Sequence, residues 1–298
     1  MPCYLKLTLE ELKDKADKAF ALLYSCTVCA RRCRVDRLQG EKGFCRGGLE
    51  AVVSSWGPHF GEENVLVGRR GSGTIFFTYC NLACCFCQNY EISSLGNGRP
   101  LPVSALAGAM LDLQDLGCHN INLVSPSHFV PQILQSLVRA VPRGLNIPLV
   151  YNTGGYDSIE TLQLLKGVVD IYMPDLKYGD DLTGEKYSGV PDYYSIAKEA
   201  VQEMHRQVGD LVISETGVAE RGLLIRHLLL PEGLAGTQEV VRFIAEEISP
   251  DTFLNIMDQY HPAYKAKQYK ELSQRVAREE VLDAVNMARA AGLERIYL

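Results

Sequence analysis

The segment GTIFFTYCNLACCFCQN, residues 73–89, decides how the rest of the chain is read. Its first part is dense in β-branched and aromatic side chains, the composition of a strand. It then passes directly into a loop with four cysteines within positions 80–87. Outward from it, strand composition recurs as INLVS at 121–125, IPLVYN at 147–152, VDIYM at 169–173, LLIRHLLL at 223–230 and TFLNIM at 252–257. Apolar side chains at helical spacing fill 104–116, 131–141, 158–167, 192–207 and 237–248, and a helix at 278–291 follows the last strand. Six strand–helix units in this order predict parallel strands joined by right-handed crossovers.

An open sheet and a partial barrel both satisfy that order, and the residues at the strand ends favour the barrel. Cys80 follows the first strand, Ser125 and Ser127 the second, Asn152 and Thr153 the third, Asp175 and Lys177 the fourth. Arg226 lies inside the fifth, and Gln259 and His261 follow the sixth. In a βα barrel, chemistry collects at the C-terminal mouth, where these ends would meet in one lined cavity. The fold class expected is α/β, a partial (β/α)6 TIM-like barrel of parallel strands over residues 71–298. Before it, residues 9–23 carry helical periodicity behind a Thr8/Glu11 capping box. Residues 24–70 are rich in Gly, Arg and Cys with little periodicity, so residues 1–70 read as a helix and a small, loop-built, cysteine-rich lobe.

Bulk properties narrow the function. The 298 residues are 47% hydrophobic, enough for a sizeable core, and the net charge of −6 speaks against nucleic acid or an anionic membrane as partner. No stretch approaches the ~20 apolar residues of a membrane span, and the N-terminus is too charged for a signal peptide. A soluble, cytoplasmic protein is expected. In a reducing compartment, ten cysteines point to metal or redox chemistry rather than disulfides. They fall into two groups, Cys26, Cys29, Cys33 and Cys45, then Cys80, Cys84, Cys85 and Cys87, while Cys3 and Cys118 stand alone.

Cys80, Cys84 and Cys87 form C-x-x-x-C-x-x-C. Structural zinc wants four ligands in pairs from separate segments. Three thiolates on one loop suit a cubane iron–sulfur cluster, with one iron left open to a small chelating molecule. Cys85, adjacent to Cys84 on a tight loop, reads as a packed small side chain.

With Phe86 before its third cysteine, this loop resembles the motif of the radical S-adenosylmethionine (SAM) superfamily. The wider segment GSGTIFFTYCNLACCFCQNYEIS resembles the branch related to pyruvate formate-lyase activating enzymes, and within it relatives with an N-terminal C-x-x-C-x-x-x-C lobe. The resemblance implies a 4Fe-4S cluster on Cys80, Cys84 and Cys87, with SAM chelating the unique iron by its amino and carboxylate groups. An electron from the reduced cluster would then cleave SAM to methionine and a 5′-deoxyadenosyl radical that takes hydrogen from substrate. It further implies that Phe86 packs near the adenine and that His261 contacts SAM. In that branch the loops matching YNTGGY and YMPDLK hold a monovalent cation beside the SAM carboxylate, which makes Asn152, Thr153, Met173 (by its carbonyl) and Asp175 its candidate ligands. The family more often has Asp where this chain has Asn152. Lys177 and Arg226 would offer positive charge to the SAM carboxylate or a substrate carbonyl, or form salt bridges in the barrel wall. Where the superfamily commonly has GGE, this chain has SPSH, so Ser125 or Ser127 would meet the SAM amino group, or that loop faces substrate.

The N-terminal set Cys26, Cys29, Cys33 and Cys45 suits zinc or an auxiliary iron–sulfur cluster that would order a lobe with few apolar residues. Arg31, Arg32 and Arg34 would neutralise thiolates or meet an acidic partner. The function expected from the resemblance is activation of a glycyl radical enzyme, fed by a flavodoxin- or ferredoxin-type reductant. Radical modification of another peptide or a small metabolite is a second reading, and a non-catalytic zinc-binding module a third.

Overall fold

In the computed structural model, which describes residues 1–298, the capping box forms as the sequence predicts. Thr8 Oγ1 accepts the Glu11 N–H, and the Glu11 carboxylate accepts the Thr8 N–H, starting α1 (Leu9–Ala21). The six predicted strands are adjacent and parallel: β2 (Ser72–Phe77), β4 (Ile121–Val124), β5 (Leu149–Thr153), β6 (Ile171–Pro174), β8 (Ala219–Leu228) and β9 (Phe253–Met257). Between and after them run α4 (Val103–Asp115), α5 (Val130–Ala140), α6 (Ile159–Leu165), α8 (Tyr193–Val208), α9 (Thr237–Phe243) and α10 (Arg278–Ala290), each within a few residues of its periodic segment. α9 ends in a π-turn at Ile244–Ile248. Short helices α2 (Asn64–Val67), α3 (Tyr90–Ser93) and α7 (Asp181–Ser188) occupy connections that lack periodicity.

The sheet is longer than the sequence reading. β1 (Ala51–His59), inside the stretch taken as loop, pairs antiparallel with β2 and with β3 (Arg99–Leu101). β10 (Ile296–Tyr297) extends the other edge, and β7 (Val212–Ile213) pairs with β8. The order β10-β9-β8-β6-β5-β4-β2-β1-β3 does not close on itself, so β3 and β10 are its edges. β1 escapes a periodicity search because Gly57 and Pro58 interrupt it and most of its side chains are only half-buried. The first 70 residues therefore contribute to the barrel's own sheet.

Side-chain alternation separates two cores. One face of the parallel strands packs under the helices in a cluster that also takes in Leu12, Ala16 and Leu23 of the N-terminal segment. The other face lines the lumen. There Val150, Ile171, Met173, Leu224 and Phe253 enclose Leu66 of α2, so the segment between β1 and β2 plugs the barrel. One layer further toward the strand C-termini the same face turns polar. Register puts Val124 beside Asn152 and Asn152 beside Met173, and an isolated bridge sets Asp175 beside Arg226. The strand ends therefore share one floor.

Candidate active site

The cysteine loop is held by backbone bonds as well as by the packing of Leu82, Cys85 and Phe86 into the core. Thr78 N–H donates to Val52 O (2.8 Å), and Tyr79 then takes a left-handed φ of 62° that turns the chain. Ala83 N–H donates to Ser188 O (3.0 Å), Cys85 N–H to Tyr187 O (2.8 Å), and Lys265 N–H to Cys85 O (2.8 Å). This fixes the side-chain directions. Cys80, Cys84 and Cys87 line a cavity of about 230 Å³, whereas Cys85 points into the apolar core.

Burial, reinforced by the Cys84 sulfur, pushes the Cys80 thiol up to about 12. Burial also raises Cys84, against the opposing charge of Lys177. A metal centre that competes for the sulfurs would therefore drive deprotonation of Cys80 and Cys84. No three Cys, His, Asp or Glu donors are placed to hold one ion. Cys80, Cys84 and Cys87 share one cavity and influence one another's charge, a set whose chemistry suits the separate corners of an iron–sulfur cube. Cys84 Sγ and Cys87 Sγ lie 2.9 and 3.1 Å from the hydroxyls of Ser188 and Ser93, which would donate to coordinated sulfur.

Ser125, Asn152, Thr153, Asp175, Lys177 and Arg226 line the same cavity as the thiols, together with Phe86. Lys177 Nζ donates to Asp175 Oδ2 (2.6 Å), Arg226 Nε to Asp175 Oδ1 (2.8 Å), and Arg226 Nη2 to Asn152 Oδ1 (2.8 Å). Burial alone would raise the Asp175 carboxyl, but Arg226 and then Lys177 hold it below its ordinary value. Asp175 is thus an anion fixed between two cations. A second network stands behind it: buried Asp157 accepts from Tyr151 Oη (2.8 Å) and Thr153 Oγ1 (2.6 Å), and Ser127 Oγ lies 3.0 Å from Thr153 Oγ1. Ser127 is therefore committed to the wall, and Ser125, held at φ 56°, is the serine that faces the cavity.

Two sequence-predicted residues lie off this wall. Met173 does so by its side chain, which is fully buried in the lumen plug and leaves only its backbone carbonyl as a candidate ligand. His261 is exposed and reaches the site only through Gln88, whose Nε2 lies 3.1 Å from its Nδ1, so Gln88 and Gln259 line the cavity in its stead. Phe86 lies edge-on to Tyr178 and Tyr260, at 6.3 and 5.9 Å.

Other residues escape the sequence reading. Tyr193 Oη accepts the Lys177 N–H (3.0 Å) and lies 2.9 Å from Gly154 O and 2.8 Å from Asp175 O, clamping two strand-end loops together. Gly155, at φ 81°, passes so close that an added Cβ would lie 2.4 Å from Asp175 O. Glu62 and Glu63 approach Arg226 Nη1 from the lumen side at 3.8 and 4.0 Å. The adjacent aromatics of PDYYS and the paired acids of GEEN were the only signals, and neither has a period or a motif.

The N-terminal thiols lie near enough to influence one another. Burial, then Cys45 and more weakly Cys26 and Cys33, pushes the Cys29 thiol above its ordinary value. Beside them lies Arg37, 1% exposed, whose guanidinium donates to Gly48 O (2.7 and 3.3 Å) and His128 O (2.8 Å), with Cys26 Sγ 4.0 Å away. None of these partners is a carboxylate. A buried cation needs an anion, and thiolates on a metal would provide it. Gly43 and Gly47 complete the fit, because a Cβ would come within 2.9 Å of Cys33 Sγ and 2.8 Å of Arg37 Nη2. The lobe meets the barrel through a Cys29–Asp157 backbone bridge, and Arg31 Nε donates to Asn81 O (2.7 Å) beside Cys80.

Comparison with known proteins follows this geometry. A model of the radical SAM superfamily matches residues 74–220. An uncharacterized protein of Methanocaldococcus jannaschii is 34% identical over 300 residues, covering 99% of this chain and 82% of its own. Among solved structures, HydG, a maturase of the FeFe-hydrogenase, gives a TM-score of 0.49 at 12% identity, over 97% of this chain and 62% of HydG. Streptococcus suis SuiB bound to precursor peptide SuiA gives 0.49 at 13% identity, over 74% of this chain and 46% of SuiB. This chain thus spans less than two thirds of either solved protein.

Proposed function

Starting from the fact that the chain belongs to the radical SAM superfamily, a family of enzymes that bind a 4Fe-4S cluster and SAM, we propose that it activates a glycyl radical enzyme by abstracting hydrogen from a backbone glycine. One observation carries the site assignment: Cys80, Cys84 and Cys87 share a single cavity with the polar ends of β4, β5, β6 and β8. Membership of an enzyme superfamily removes the third expectation, a non-catalytic zinc module.

When bound, the reduced cluster and SAM supply a 5′-deoxyadenosyl radical by one-electron cleavage of the sulfonium. The residues of this chain do the rest. Cys80, Cys84 and Cys87 would hold the cluster. Phe86 gives the adenine an apolar edge, a contact worth about 0.5–1.5 kcal/mol. Ser125 offers a neutral hydroxyl to the SAM amino group. Lys177 and Arg226 present positive charge to the carboxylate, already oriented by Asp175. The sheet stays open between its edges β3 and β10, and a peptide loop would enter on that side. Cys26, Cys29, Cys33 and Cys45 hold zinc or a second cluster, and a flavodoxin- or ferredoxin-type protein supplies the electron.

The test is anaerobic. Protein reconstituted with iron and sulfide, then given dithionite and SAM, should release 5′-deoxyadenosine, and C84A should abolish release while C85A leaves most of it. Equal loss in both would refute the ligand assignment. With a glycyl-radical partner added, a glycine-centred EPR signal supports activation. Turnover without that signal favours modification of another peptide or a small metabolite.

A further inference from the structure

The side-chain oxygens that would ligate a monovalent cation beside SAM are all engaged by this chain. Asp175 gives Oδ2 to Lys177 at 2.6 Å and Oδ1 to Arg226 at 2.8 Å. Asn152 gives Oδ1 to Arg226 at 2.8 Å. Thr153 Oγ1 donates to Asp157 and lies 3.0 Å from Ser127 Oγ. Met173 would offer only its backbone carbonyl, because its side chain lies in the lumen plug. What spans Asn152 and Asp175 is a guanidinium, brought there from β8 by the Asp175–Arg226 backbone bridge.

We infer that Arg226 stands in for the metal cation: its guanidinium joins Asn152 to Asp175, so the SAM-carboxylate end of the cavity takes its positive charge from the protein and needs no monovalent ion. The residue set agrees with this. A hard cation seeks several unengaged anionic oxygens, whereas the one carboxylate that lines the cavity, Asp175, is already shared by Lys177 and Arg226. The second carboxylate common in the family is Asn152, an amide whose oxygen suits a guanidinium N–H without adding charge. A planar fork bound at two oxygens is also directional, which a spherical ion is not. The buried acids Glu62 and Glu63 flank the far nitrogen of Arg226 at 3.8 and 4.0 Å, so the guanidinium is held from both sides.

The inference rests on the proposed SAM site, but its main test does not need catalysis. Thermal unfolding midpoints of metal-free protein are compared in potassium, sodium or choline chloride at equal ionic strength, with ²³Na line widths as a direct readout of binding. The wild type should give one midpoint in all three salts and no excess broadening. The double variant N152D/R226Q, which restores a carboxylate and removes the guanidinium, should melt higher in potassium or sodium than in choline and broaden the ²³Na line. R226Q alone serves if the double variant does not fold. After reconstitution, the SAM affinity of the variant should rise roughly tenfold from choline to potassium, a typical coupling between two sites, and that of the wild type should stay constant. A cation response in the wild type overturns the inference, because the site would then be metal-binding as it stands. So does a variant as indifferent as the wild type, because Arg226 would then replace nothing. Failure of SAM cleavage in every salt would count against the proposed function and leave the melting and line-width results to decide this point.

Discussion

Replacing Arg37 by Met asks whether the N-terminal thiols carry negative charge in the working protein. The two short bonds from its guanidinium, 2.7 Å to Gly48 O and 2.8 Å to His128 O, contribute about 1.5–3 kcal/mol each, as charged donors do. Opposing them is the desolvation of a guanidinium that is 1% exposed, several kcal/mol when no counter-charge is present. In metal-free protein, where the Cys29 and Cys45 thiols are raised by burial, these terms nearly cancel, and R37M should shift stability by no more than about 1–2 kcal/mol. With metal bound, the same change removes one partner of a buried ion pair, about 3–5 kcal/mol. By linkage the difference, about 2–4 kcal/mol, appears in metal affinity, so R37M should hold its N-terminal metal roughly thirtyfold to a thousandfold less tightly. Chelator competition on the folded protein measures this directly. R37K, which keeps the charge but loses the fork, should recover part of the loss. Metal retention by R37M equal to that of the wild type would refute the reasoning, since Arg37 would then be neutral to whatever the four cysteines hold.

Y193F removes the hydroxyl that satisfies the Lys177 N–H and clamps Gly154 to Asp175. Urea unfolding should show a loss of about 1–3 kcal/mol, and KM for SAM should rise more than kcat falls. G155A forces a Cβ to within 2.4 Å of Asp175 O at φ 81°, and should cost about 2–4 kcal/mol. The control G144A, at a left-handed φ of 97° with open space around it, should cost only about 1–2 kcal/mol. Acid should unfold the protein through two buried histidines. Burial lowers His128 to about 3 and His227 to about 4, so below pH ~6.5 the unfolded chain binds protons that the native state refuses, and stability falls as pH falls. Unfolding midpoints between pH 7 and 4 should drop steadily in the wild type, and less steeply in H227N. An equal slope in the two would show that His227 is not held neutral.

The parts of this molecule readable in advance are those that local period and spacing encode. Six strands, the helices between them and the loop of Cys80, Cys84 and Cys87 each carry a signal within about twenty residues, and the structure puts them where that signal says. β1 carried none, because its Ser, Gly and Pro residues and half-exposed faces hide a strand held by its neighbour β2. The site was legible in composition but not in pairing. Asn152, Asp175 and Arg226 could each be named as polar residues at strand ends, yet whether Asp175 meets an ion or a guanidinium depends on the register that bridges β6 to β8. His261 and Gln88 show the same limit: a motif nominates the histidine, and the turn after β9 leaves it 3.1 Å from the glutamine that lines the cavity in its stead.

Charge shows most clearly what sequence alone withholds. A net charge of −6 spread over 298 residues gives no hint that the cations nearest the thiol groups are buried and fixed, Arg37 by two carbonyls and Lys177 by Asp175. Each is held by the protein before any cofactor arrives, so reorganisation on binding falls on the thiols, which lose protons, rather than on the side chains that face them. That division predicts proton release on metal loading. Calorimetry in buffers of differing ionisation enthalpy should register protons lost from both cysteine groups, and C84A should remove only the share belonging to the site between β2 and α3. If loading released no protons, the thiols would already be anionic in the free protein. The buried guanidinium of Arg37 would then have its counter-charge without metal, and the argument for a metal in the N-terminal lobe would lose its physical basis.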